Sequence, residues 1–88
     1  MKYIYVLTAH DSQSDLVIAT QHYSNLKAAN ESFIELKSHL LNKYDIDRFD
    51  IEHLGFTDGG PHKTEILNKR FNVTLNKWNV SSKVSTFI

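Results

Sequence analysis

The residues whose types and spacing invite chemistry lie in the second half of this 88-residue chain. Asp45-Ile46-Asp47-Arg48-Phe49-Asp50 spaces its carboxylates like the opening of a calcium loop. Phe49 stands at position five, where that loop needs a ligand, Asp50 at position six, where it needs a turning glycine, and Phe56 at position twelve, where a chelating glutamate closes the shell. An EF-hand is excluded. His53, Asp58 and His62 form an imidazole and carboxylate set that could ligate a metal or exchange protons near neutral pH. Their spacing matches no known ligand pattern, and neither a nucleophile nor a phosphate cradle accompanies them. The chain also lacks cysteine, a Gly-x-x-x-x-Gly-Lys phosphate loop, a His-Glu-x-x-His metal helix and a Gly-x-Ser-x-Gly elbow. The expectation is a protein with no catalytic residue, no metal and no cofactor, acting by binding.

Two charged segments could carry that binding. Net charge is zero, yet residues 1–58 hold nine acids against five Lys/Arg, whereas residues 59–88 hold one acid, Glu65, against five bases. The acidic candidate face comprises Asp45, Asp47, Phe49, Asp50, Glu52, Phe56 and Asp58. Its carboxylates could imitate nucleic-acid phosphates toward a basic groove, while the two phenylalanines supply apolar anchors. The alternative is a nucleic-acid-binding segment in which Lys63, Lys69, Arg70, Lys77 and Lys83 reach phosphates, with Phe71 and Trp78 available for stacking. Five bases on a neutral chain fall short of the usual electrostatic footprint. The two segments either neighbour and neutralise each other or form separate steering faces.

These residues must be positioned by a small scaffold. A chain of this length is one domain, spanning residues 1–88, with a modest core. A hydrophobic content of 41% with one proline and three glycines fits a packed globule. The β-branched and aromatic run Lys2 to Ala9 reads as a strand. Ile4 and Val6 point one way and Tyr3, Tyr5 and Leu7 the other, as in an interior strand covered on both sides. After a polar turn over 11–15, Leu16 to His22 resumes as a second strand, with Leu16, Ile18 and Thr20 on one face. The short connection makes an antiparallel hairpin. Ser24 is the expected N-cap of a long helix. Its stripe of Leu26, Ala29, Phe33, Leu36 and Leu40 recurs at three and four residues and can lie on the hairpin. His39 aligns with Glu35 and Lys43 on the polar face.

Beyond the helix the pattern is ambiguous. Residues 45–54 fit either a strand, with Phe49, Ile51 and His53 alternating, or a short helix ended by Gly55, and the helix is preferred. Gly55 to Lys63 is a loop, because Gly-Gly-Pro breaks both regular structures. A short helix starting at Pro61 precedes strands over Val73 to Ile88, although Leu67, Phe71, Leu75 and Trp78 also share a helical face. The fold expectation is therefore α+β: an N-terminal antiparallel hairpin packed by one long helix, with further C-terminal strands and the option of a short second helix.

The opening Met-Lys-Tyr-Ile-Tyr-Val-Leu-Thr, the polar turn, and Tyr-Ser-Asn-Leu-Lys-Ala-Ala at the helix start resemble a recurrent type of small phage or prophage accessory protein over residues 1–44. The resemblance implies a mobile-element origin and a role in blocking a host protein complex, such as a defence system. It carries over no functional residue. The expected partner is a host or phage protein, with nucleic acid and a second copy as alternatives and no membrane. The absence of cysteine and of a signal-like opening suggests the cytoplasm of the host cell.

Overall fold

The computed structural model describes residues 2–55 and 61–80. Five strands, one α-helix and one 3₁₀ turn follow in the order β1 (Lys2–Asp11), β2 (Leu16–Tyr23), α1 (Leu26–Lys43), η1 (Arg48–Asp50), β3 (Ile51–Gly55), β4 (Lys63–Leu67) and β5 (Phe71–Val80). The class is α+β, as expected, with the N-terminal hairpin and the long helix in place. The strands form one antiparallel sheet ordered β2-β1-β5-β4-β3. The last strand thus inserts beside the first, and the ten-residue strands β1 and β5 make the centre of the sheet.

Alternation along each strand divides the sheet into two faces. Leu7 and Ala9 of β1, Leu67 of β4, and Phe71, Val73 and Leu75 of β5 point toward α1 and are fully buried with its Ala29, Phe33 and Leu40. Leu26 and Leu36 pack around them, so the whole predicted helix stripe is core. The N-cap is Asn25, not Ser24: its side-chain oxygen accepts the Ala28 N–H at 3.1 Å. Both residue types cap helices well, and the helix begins one residue later than expected.

Several expectations fail for a common reason, which is strand pairing between distant segments. The preferred helix over 45–54 is instead the short η1 turn followed by β3. The helix expected from Pro61 is absent: Pro61 and His62 form a bend, and β4 starts at Lys63. Five-residue segments are too short for periodicity to separate helix from strand. Here β4 finds β5 on one side and β3 on the other. Leu16, Ile18 and Thr20 do not share a face, because a bulge between Ala9 and His10 shifts the β1–β2 register. β1 is interior by hydrogen bonding, but α1 covers only its Leu7 and Ala9 side; Ile4 and Val6 on the other side are half-buried.

Two details hold the far strands in place. Gly55 pairs with Lys63, and a Cβ at Gly55 would meet the Lys63 Cβ at 2.9 Å, so the close approach needs glycine. Glu65, buried on the helix side, accepts from Lys37 Nζ of α1 at 3.2 Å and lies 2.9 Å from His53 Nδ1 of β3. One carboxylate thereby links the helix to the outermost strand.

Candidate functional site

Three connectors meet at one end of the sheet, and Arg70 joins them. Its Nε and Nη2 each donate at 3.0 Å to the two oxygens of Asp11, a bidentate geometry specific to guanidinium and carboxylate. Its carbonyl accepts both the N–H and the hydroxyl of Ser12, at 2.8 and 2.7 Å. The guanidinium also lies over the rings of Tyr44 and Phe71, at 5.1 and 4.7 Å, and those rings are themselves 4.6 Å apart. Asp11 is 5% exposed. The Arg70 hydrogen bonds hold its carboxyl well below the usual carboxylate range, against the opposing effect of burial, and the same pair raises Arg70. Arg70 is therefore a structural joint, with Nε and Nη2 committed to Asp11.

The connector from Tyr44 to Asp50 projects from this joint as a knuckle. Asp45 takes a positive φ of 52°, which turns the chain off the helix, and the Ile46 N–H returns to Leu41 O at 2.9 Å. Asp47 caps the 3₁₀ turn, accepting the Phe49 N–H at 3.0 Å. The carbonyl of Asp50 then accepts the Asn68 N–H at 2.8 Å, anchoring the knuckle to the β4–β5 turn. That turn is itself defined by positive φ at Asn68 and Lys69. Phe49 is held at the tip of this braced segment and is 95% exposed. Burying a phenylalanine side chain is worth about 1.5–3 kcal/mol, a gain this fold forgoes.

The acidic candidates are thus partly gathered. Asp45, Asp47 and Asp50 share the knuckle with Phe49, all exposed; Glu52 follows on exposed β3; Phe56 and Asp58 lie outside the described residues. Among the described residues Asp45, Asp50 and Glu52 form no ion pair.

The basic candidates are dispersed. Lys63 Nζ sits 4.3 Å from the centre of the Phe33 ring, and Lys77 Nζ 3.9 Å from that of Tyr3. Arg70 is committed to Asp11, and Lys69 is exposed on the β4–β5 turn. Trp78, 58% exposed, is the neighbour of Lys77 on β5 and so faces the opposite side of the sheet. Lys83 lies outside the described residues. The stacking candidate Phe71 is buried core. Of the metal or proton-transfer candidates, His53 is engaged with Glu65, His62 is exposed in the bend before β4, and Asp58 lies outside the described residues. Among the described residues no group of three or more His, Asp or Glu side chains is arranged to hold a metal ion.

The role of Arg70 was not legible in the sequence. Asp11 and Arg70 are 59 residues apart, and only the insertion of β5 beside β1 brings them together. Comparison with protein-family models, with curated proteins and with solved structures finds no match to this chain. No helix among the described residues is long and apolar enough to cross a membrane.

Proposed function

We propose that this chain is a non-catalytic binding protein that presents the knuckle of Asp45, Asp47, Phe49 and Asp50 to a basic, grooved surface of another protein. The observation that carries this reading is Phe49, a nearly fully exposed aromatic on a braced turn, between Arg48 and Asp50 with Asp45 and Asp47 close by, so that three carboxylates outnumber one guanidinium. Hot spots of binding are typically aromatic anchors that fill a pocket, surrounded by polar contacts that exclude water. The backbone bonds of Asp47 and Asp50 hold the anchor in place before binding, which lowers the ordering cost of association. The carboxylates supply charge that steers a basic partner and selects against acidic ones.

The resemblance of residues 1–44 to small phage and prophage proteins supports a host complex as the target, for example a defence system met in the host cytoplasm. A surface of carboxylates would then occupy a groove that otherwise receives nucleic acid.

The test is capture from a host lysate by the wild-type chain and by Phe49→Ala, with and without nuclease, across a salt series. The reading expects one stoichiometric protein, retained after nuclease and lost with Phe49→Ala. Loss of all retention after nuclease, with a steep salt dependence, would sink it in favour of nucleic-acid binding.

A further inference from the structure

We propose that the sheet face opposite α1 is a contact between two copies of this chain. Its geometry follows from the strand register. One transverse row runs Thr20, Thr8, Thr74, Thr64 and Leu54 across all five strands, from β2 to β3. A second row runs Val17, His10, Asn72, Ile66 and Glu52. On the other flank His22, Val6 and Asn76 align, and beyond them Ile4 pairs with Trp78. Among the described residues no element covers this face: Trp78, Leu54 and Val17 are 58%, 57% and 63% exposed, and Ile4, Val6 and Ile66 are half-buried.

The chemistry of the face selects the occupant. Across these four rows Glu52 alone carries a formal charge, and it sits on the edge strand β3; another carboxylate, Asp15 in the β1–β2 turn, lies 2.9 Å from His10 Nε2 of the second row. The other polar groups are threonine hydroxyls, asparagine amides and histidine imidazoles. Each hydroxyl and amide, and each neutral imidazole, both donates and accepts hydrogen bonds, as the 3.3 Å contact between the Thr64 and Thr74 hydroxyls illustrates. A two-fold contact sets the same patch against itself, so it disfavours like charges and is satisfied by groups that complement their own copies. A basic or acidic partner would find almost no counter-charge here.

Size points the same way. Five strands at a spacing of about 4.8 Å make the face roughly 20 Å wide, and the ten-residue central strands run about 33 Å along it, dimensions that approach the ~800 Å² per partner of a standard interface once side-chain relief is added. Pairing through the β2 edge alone would cover a single strand.

The experiment is sedimentation equilibrium of the full chain from micromolar to hundreds of micromolar, with Trp78 fluorescence read over the same range. The expected result is a dimer, with Trp78 emission shifting to shorter wavelength as it forms. Thr74→Lys and Asn76→Lys, at half-buried positions of the central strand, should each weaken dimerisation at least about 30-fold while keeping the wild-type circular dichroism. Leu16→Lys, on the β2 edge and on the α1 side of the sheet, and Phe49→Ala on the knuckle should leave the dimer intact. A wild-type monomer throughout the range overturns the proposal. So does a dimer that survives both face variants, or one broken only by Leu16→Lys. Because Phe49→Ala tests the knuckle separately, failure of either reading leaves the other standing.

Discussion

Arg70 and Phe49 sit at the same end of the molecule and illustrate opposite uses of a side chain. Arg70 commits Nε and Nη2 to Asp11 and lies over the rings of Tyr44 and Phe71. Lysine cannot reproduce that fork, so Arg70→Lys should lower the thermal midpoint even though the charge is kept. Asp11→Asn should also destabilise at neutral pH. The Asp11 carboxyl is depressed in the folded protein, so its contribution is present above the ordinary carboxylate value of 3.8 and is lost as pH falls toward the lower folded value. Denaturant titrations should therefore show the gap between wild type and Asp11→Asn narrowing as pH falls below about 4. A gap unchanged across that range would mean that the pair is not what stabilises this end. Phe49 is the converse case: Phe49→Ala should change folding stability by no more than about 0.5 kcal/mol, because almost none of its surface is buried.

At the scale of elements, the hairpin and helix are held by local signals and by one apolar stripe. Phe33→Ala, at a site 1% exposed, should cost about 3–5 kcal/mol by denaturant unfolding. Asn25→Ala should cost about 1 kcal/mol through the lost cap, whereas Ser24→Ala should cost little. This first half was legible because its cues are close in sequence. The helix stripe repeats over four turns, and the turn after β1 is polar and short. The second half was not. β3 and β4 are five residues each, and their identity depends on β5, whose own place beside β1 no local pattern announces. The acidic segment was recognisable as a candidate from its composition, but the exposure of Phe49 depends on the turn that Asp47 caps and on the bond from Asn68. The run of β-branched residues in β1 likewise suggested cover on both faces. Neighbouring strands satisfy such a run by pairing, and its second face is left open among the described residues.

For the molecule as a whole, the two halves of the chain lie side by side in one sheet, β2 and β1 on one flank and β5, β4 and β3 on the other, joined where β5 pairs with β1. The formal charges of the two halves are nevertheless treated differently. Arg70 is placed on Asp11, and Lys63 and Lys77 over aromatic rings, with Lys69 left exposed, while the knuckle carboxylates stay exposed beside Phe49. In the proposed function the knuckle binds a protein with Phe49 as its anchor. Once the captured partner is in hand, isothermal titration of the wild-type chain against Phe49→Ala at equal salt tests that claim most directly. The expected result is a loss of affinity of at least about 30-fold, the scale of a hot-spot truncation, with the fold unchanged by circular dichroism. Equal affinity of the two proteins would contradict it.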